Sequence, residues 1–209
     1  MAKTTADDDR KQRARKIVRV LAKTYADAVC ALNHDSPFQL LAATILSAQC
    51  TDERVNMVTP ELFRRWPTAH ELAEAPQADV EEVVRSTGFF RAKAGNLIGM
   101  AKGLVEKHNG ELPQTVEELI ALPGVGRKTA NVVMNMAFGE PTIAVDTHLF
   151  RLSNRIPLAL GKTPLAIELG LQKVIPAEFM LHAHHWLILH GRYICKARLA
   201  NIAAVENQP

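Results

Sequence analysis

Apolar residues along this chain recur three and four positions apart, and runs alternating every second residue are missing, so the pattern predicts helices and no strand. Ile17, Val20, Leu21 and Tyr25 give a first helix one apolar face, behind the basic stretch Lys11-Gln12-Arg13-Ala14-Arg15-Lys16. Residues 1 to 9 are polar and are expected to be disordered, with Asp7, Asp8 and Asp9 at the start of that helix, where they suit its dipole. Ser36-Pro37-Phe38-Gln39 predicts the next start: an N-cap, a proline at N1 and a glutamine at N3. The helix it opens, Leu40 to Ala48, is apolar nearly all round, as an element buried on most sides should be. Polarity returns at Ser47-Ala48-Gln49-Cys50-Thr51-Asp52. Thr59-Pro60 predicts a further start, closed by Trp66-Pro67. Thr68 and Glu71 form a capping box, and a helix over about Asp79 to Ser86 stops at Gly88. Phe89-Phe90 opens a long helix running to Gly110.

Thr115 and Glu118 make a second capping box, for a helix that starts near Val116 and must end before Pro123. Ala130, Val133, Met134 and Ala137 resume the helical spacing until Gly139. Asp146 is a good N-cap ahead of Leu149, Leu152 and Ile156, and that role alone would explain an aspartate there. Thr163-Pro164 starts a helix broken before Pro176, and a last one carries His182, His184, His185, Trp186 and His190. The fold class is therefore all-α.

Composition narrows the function without naming it. A chain of 209 residues buries roughly 70% of its unfolded surface, enough for one large domain or two small ones. The net charge of +3 permits a polyanionic partner but does not demand one. Three separated cysteines, Cys30, Cys50 and Cys195, argue against a disulfide framework and for a reducing compartment. No apolar run approaches a membrane span and no export signal is legible, so a cytoplasmic protein is expected. His182 and His185 could share a helix face, yet no Cys, Asp or Glu completes a zinc set beside them.

The most informative stretch is Leu122-Pro123-Gly124-Val125-Gly126-Arg127-Lys128-Thr129-Ala130. It reads as a tight hairpin between two short helices. Gly124 and Gly126 supply positive φ or bare backbone, so amides at the start of the second helix can meet a phosphate. A purely structural Pro-Gly turn is the competing reading. Lys128 favours the first, because it sits where such a hairpin would hold it against bound nucleic acid. Two other positions stay open: Gln49 is either a surface amide or a group aimed at a base, and one ring of Phe89-Phe90 packs in the core while the other could wedge between bases.

Taken together, L-P-G-V-G-R-K-T-A-N-V-V and V-D-T-H-L-F-R, with L-S-A-Q-C-T-D, G-F-F-R-A-K-A and H-H-W-L-I-L-H-G-R-Y, resemble the endonuclease III family of the helix-hairpin-helix DNA glycosylase superfamily. The resemblance spans about Ser36 to Cys195. It implies a two-lobed fold with DNA in the cleft between the lobes: a six-helix barrel over 32-140 that includes the hairpin, and a second helical domain from 1-31 and 141-209. It implies a monomeric, nucleoid-associated base-excision enzyme for oxidised pyrimidines, acting on double-stranded DNA that contains damaged bases or abasic sites. Lys128 would be the nucleophile and Asp146 the essential carboxylate. Gln49 and Phe89 would fill the gap left by the extruded base, and Gly124, Gly126 and Arg127 would meet the backbone. Carbonyls of Ile120, Leu122 and Val125 would bind a structural cation, and His148 would lie near the carboxylate. A monofunctional glycosylase and a non-catalytic DNA-binding module are the alternatives.

The implied chemistry explains the residue types. A glycosylase that also nicks must attack C1′ with an amine and lose a C2′ proton so that the 3′ phosphate leaves. A free lysine with a pKa near 10.4 is neutral in roughly one molecule in two thousand at pH 7, so its surroundings must help. Two departures from the family pattern stand out. Phe89 occupies a wedge position that is often leucine. Four cysteines in the pattern C-x6-C-x2-C-x5-C would hold a [4Fe-4S] cluster, but only Cys195 is present: Ile202 and Val205 fill the next two places and the sequence stops at Pro209, before the fourth. No cluster is expected, and Ile202 to Val205 are expected to pack where the cluster loop would be.

Overall fold

The computed structural model describes residues 2–197, with side chains from Asp8 onward. Among the described residues there are eleven α-helices, one 3-10 turn and no strand. The chain divides into two compact units, Cys30–Gly139 and a second built from both ends, Met1–Val29 with Glu140–Pro209. No helix of the described residues is long and apolar enough to cross a membrane.

In the unit Cys30–Gly139, α2 (Pro37–Leu46) is the axis. Ser36 caps it by accepting from the Gln39 amide at 3.2 Å, and the Gln39 side chain reaches back to the Asp35 amide at 2.8 Å. With no charge on any face, α2 buries Phe38 and every residue from Leu40 to Leu46. It stops at Leu46, two residues short of the expected end. The Ser47 hydroxyl turns onto the Thr44 carbonyl at 2.8 Å and the Cys50 amide onto the Ser47 carbonyl, so the chain bends there instead of extending.

The next helix corrects the sequence reading. α3 runs Asp52–Arg65 from an N-cap at Thr51, whose hydroxyl accepts from the Arg54 amide at 3.2 Å, and Thr59-Pro60 lies inside it. An interior proline forfeits one helical hydrogen bond and costs about 3 kcal/mol in isolation. Burial of Val55, Val58 and Leu62 on one face outweighs that cost. α4 (Ala69–Ala73) has the expected capping box, with the Thr68 amide donating to Glu71 at 2.8 Å. α5 (Gln77–Val84) passes into a 3-10 turn over Arg85–Thr87, and α6 (Phe90–His108) ends in left-handed Asn109. α7 (Val116–Ile120) and α8 (Arg127–Phe138) follow. α4 and α5 pack on α6, while α3, α6 and α8 pack on α2.

In the second unit, α1 spans Ala2–Thr24, so residues 2–9 are helical rather than the disordered tail their polarity suggests. Helix propagates cheaply from an anchored nucleus, and Ala14, Val18 and Leu21 provide one. Asp7 to Asp9 consequently fall inside the helix and not at its start. α1 packs on α10 (Pro164–Val174) and α11 (Ala177–Tyr193), and α11 also packs on α9 (Thr147–Arg155). Val18, Leu21, Leu149, Leu152, Ile167, Leu171 and Leu187 fill this core.

Candidate active site

The hairpin is built by local rules. Thr115 caps α7, accepting from the Glu118 amide at 3.3 Å while its hydroxyl donates to the Glu118 carboxylate at 2.6 Å. The helix is only five residues long, and the Leu122 amide then closes on the Leu119 carbonyl and the Val125 amide on Leu122 at 3.2 Å. Gly124 takes φ +76°. A Cβ there would also come within 2.7 Å of Asn96 Cβ, so two independent demands require glycine. Gly126 takes the other of the two roles open to these glycines: its φ of −90° suits any residue, and a Cβ would meet nothing within 4 Å. What glycine provides at 126 is bare, exposed backbone rather than a special angle.

Two glycines of α6 seat this hairpin. A Cβ at Gly99 would sit 3.1 Å from the Pro123 ring, and one at Gly103 only 2.9 Å from Leu122. Side chains there would push the Leu122-Pro123 corner off α6. Sequence reasoning passed over both, since a glycine inside a helix is ordinarily only a weak spot.

Lys128 follows at the second position of α8, exposed, one residue after exposed Arg127. Its ammonium is close enough to act electrostatically on the half-buried Cys30 thiol, whose pKa is nevertheless raised, chiefly by burial. Gln49 and Phe89 occupy two separate turns of the same unit. Both are exposed, Phe89 at 67%, and both hold left-handed backbone, with φ 53° and 50°. Such conformations are strained for residues other than glycine and concentrate at functional positions. The ambiguity between the paired rings resolves accordingly: Phe90 is half-buried between the Arg85 and Arg91 guanidiniums, 5.6 and 5.3 Å from its centroid, and Phe89 is the one left out.

Asp146 belongs to the other unit, as the N-cap of α9. Its Oδ1 accepts from the Leu149 amide at 2.8 Å, and the residue is half-buried. The capping role is therefore real, and a carboxylate uses one oxygen for it. His148 stands on the first turn of the same helix, its Nδ1 3.3 Å from Arg151. Gly191 of α11 packs directly on it, with room for a Cβ only 3.0 Å from the His148 carbonyl.

Arg151, the last residue of the V-D-T-H-L-F-R segment, and Arg155 had no role assigned from sequence. Arg151 donates to the carbonyls of Gly191 at 2.6 Å and Cys195 at 3.0 Å. Arg155 donates to the carbonyls of Lys196 at 2.7 Å and Ala197 at 3.0 Å, and lies 3.5 Å from Cys195 Sγ. Together they fasten the turn beyond α11. Cys195 is 2% exposed beside a guanidinium. Among the described residues no three His, Cys, Asp or Glu side chains group as a metal site. Ile202 and Val205, with the packing expected of them, lie outside the described residues, but neither residue type supplies a thiolate. The residues present do not fit a [4Fe-4S] cluster, which needs four such ligands. Of the three carbonyls expected to hold a hairpin cation, that of Leu122 already accepts the Val125 amide, while Ile120 ends α7 and has a carbonyl of the kind a helix leaves unsatisfied; oxygen ligands suit a hard cation.

The described residues are thus helical, with a glycine hairpin leading into a helix that begins Arg127-Lys128. The family model of the HhH-GPD superfamily base excision DNA repair protein matches residues 42–177. The chain is 51% identical over 194 residues to Endonuclease III of Synechocystis sp., covering 90% of this chain and 87% of that one. It is 52% identical over 167 residues to Endonuclease III of Escherichia coli K12, covering 80% and 79%. Its structure is similar to that of a trapped endonuclease III-DNA covalent intermediate in an estranged-adenine complex, with TM-score 0.87, 45% identity, and 93% and 92% of the two chains covered. The chain belongs to the HhH-GPD superfamily, in its endonuclease III family.

Proposed function

We propose that this chain is a base-excision DNA glycosylase and apurinic-site lyase that acts on damaged double-stranded DNA, removing oxidised pyrimidines and then nicking the strand by β-elimination. The observation that carries the reading is Lys128, exposed at the second position of α8 directly behind the Gly124 hairpin, in a chain about half identical to Endonuclease III proteins. The damaged base leaves the stack at a cost of a few kcal/mol, least where pairing is already impaired. Gln49 and Phe89 fill the gap. Backbone amides around Gly124 and Gly126 and the Arg127 side chain hold phosphate. Carbonyls of Ile120, Leu122 and Val125 would hold a cation that neutralises part of that phosphate charge.

The neutral amine of Lys128 bonds to C1′ as the C1′–N bond to the base breaks, and the base departs with the electron pair and gains a proton. Opening of the sugar ring gives an imine at C1′. Loss of the C2′ proton sends its electrons toward C3′, the C3′–O bond breaks, and the 3′ phosphate leaves. Water then hydrolyses the imine and restores the amine. Asp146 stabilises the positive charge that develops on the sugar and helps accept the amine proton. His148 stands two residues after Asp146, on the first turn of α9. The chain does this without a [4Fe-4S] cluster. Iron analysis giving about four irons per chain would contradict that part.

Borohydride reduction of the imine tests the assignment. The protein incubated with a duplex carrying an oxidised pyrimidine or an abasic site should be trapped as a covalent adduct, and Lys128→Ala should abolish it. An undiminished adduct in that variant sinks the role of Lys128. Base release without nicking identifies a monofunctional glycosylase, and salt-sensitive binding with no turnover on any lesion identifies a binding module.

A further inference from the structure

Among the described residues, positive φ outside glycine occurs at Gln49, Phe89 and Asn109. The first two are the candidate gap fillers, and Lys93 stands one helical turn after Phe89. It is an odd place for an ammonium: Lys93 is only 4% exposed, on the first turn of α6. Its Nζ donates to the carbonyl of Thr87 at 2.7 Å, the last residue of the 3-10 turn. Thr87 is itself buried, its hydroxyl donating to the Val84 carbonyl at 2.8 Å. The Lys93 amide donates to the Phe89 carbonyl at 3.0 Å. One residue thus holds the chain on both sides of Gly88 (φ 71°, ψ 155°) and Phe89 (φ 50°, ψ 29°).

Packing alone does not call for a charge here. Burial pushes the Lys93 pKa below the ordinary lysine value, a penalty that a methionine of similar length would avoid. What the charge accomplishes is to satisfy a buried carbonyl at the point where the backbone enters a strained turn. We infer that Lys93 is a positioning residue for base extrusion: through the Thr87 carbonyl it fixes the Gly88-Phe89 turn with the Phe89 ring held out. The Phe89 ring is then presented preformed, and the entropy of ordering it is not charged to DNA binding. This inference rests on the reading of Gln49 and Phe89 as gap fillers.

A duplex with 2-aminopurine opposite the lesion tests both, because that base brightens when it loses its stacked neighbours. Wild type, Phe89→Ala, Lys93→Met and the double variant are compared below the melting onset of the least stable protein. Phe89→Ala should lower the brightened fraction about tenfold and Lys93→Met about fivefold, while the double variant should be no worse than Phe89→Ala alone. Gly88→Ala, where the added Cβ meets nothing within 4 Å but φ is positive, disturbs the turn with Lys93 intact and should reproduce the Lys93→Met loss. A full wild-type signal from Lys93→Met overturns the inference, as does a Lys93→Met loss that recurs undiminished on top of Phe89→Ala. If Lys93→Met does not fold, Gly88→Ala decides: wild-type brightening in it rejects the anchored turn. An unchanged signal in Phe89→Ala instead refutes the gap-filling role of Phe89, and the inference falls with it.

Discussion

Substituting the two hairpin glycines by alanine should separate folding from binding. At Gly124 the new methyl meets two penalties. Left-handed φ costs a residue with a side chain about 1–2 kcal/mol. The contact of 2.7 Å with Asn96 Cβ must also open, and because that atom is fixed to the backbone of α6, rotating the asparagine does not relieve it. Overpacking of this kind costs about 1–3 kcal/mol. The total is about 3 kcal/mol, and at 2–4 °C per kcal/mol for a chain this size the melting temperature should fall by about 10 °C. At Gly126 neither penalty exists, since φ is −90° and the space is open. Gly126→Ala should therefore melt close to wild type, because about 0.4–1 kcal/mol gained from the stiffer unfolded chain is offset by alanine being a poorer N-cap of α8 than glycine. Its methyl stands where a phosphate must approach, so one charge-assisted hydrogen bond is lost, worth about 1.5–3 kcal/mol, or at least about tenfold in Kd for an abasic-site duplex. Thermal melts and fluorescence anisotropy on both variants read the two effects. If Gly126→Ala binds as tightly as wild type, the backbone-to-phosphate argument is wrong; if Gly124→Ala melts with wild type, the steric argument is.

Asparagine caps helices as well as aspartate does, so Asp146→Asn should leave the melting temperature unchanged while lowering single-turnover base release about 10²–10³-fold; Asp146→Ala should lose the chemistry and also about 1 kcal/mol of stability. Equal melting of the two variants would deny the cap. His190 is 6% exposed, its Nε2 buried with no hydrogen-bond partner among the described residues, and burial holds its pKa below 6.5. The unfolded chain therefore takes up that proton first, so stability is full above pH 6.5 and declines below it, by at most about 1.4 kcal/mol per pH unit for one group. His190→Leu should flatten the melting curve between about pH 7.5 and 5.5, and an unaltered slope would exclude His190 as its source. Arg155→Ala removes the hydrogen bonds to Lys196 and Ala197 and should cost about 1–3 kcal/mol. Cys195, now sheltered, should then react faster with a thiol reagent, and an unchanged rate would show that the turn beyond α11 is held by something else.

How much of this was legible beforehand follows from the range of the forces involved. Caps act over three or four residues, so Ser36, Thr68, Thr115, Asp146 and Thr163 announced their helices from sequence. Thr59-Pro60 misled because the same local signal is silenced inside α3, where burial of Val55 and Leu62 decides the matter and the true cap, Thr51, lies eight residues earlier. The hairpin and Lys128 were readable because the motif is contiguous. Gly99, Gly103 and Asn96 were not, since their importance arises from contact with residues nineteen or more positions away. Nor were Lys93, Arg151 and Arg155: each satisfies a backbone carbonyl that only the folded chain exposes to it. The left-handed backbone at Gln49 and Phe89 has no sequence signature, as neither residue type favours it.

The unit assembled from both termini has a consequence for synthesis. α1 leaves the ribosome with Ala14, Val18 and Leu21 ready for burial, but α10 and α11, which cover them, follow only after all of residues 30–139 have been made. At ordinary elongation rates that interval is on the order of ten seconds, during which an apolar stripe has no mate on its own polypeptide. Lys11, Arg15 and Lys16 flank the stripe, and like charge beside it opposes the pairing of two such stripes.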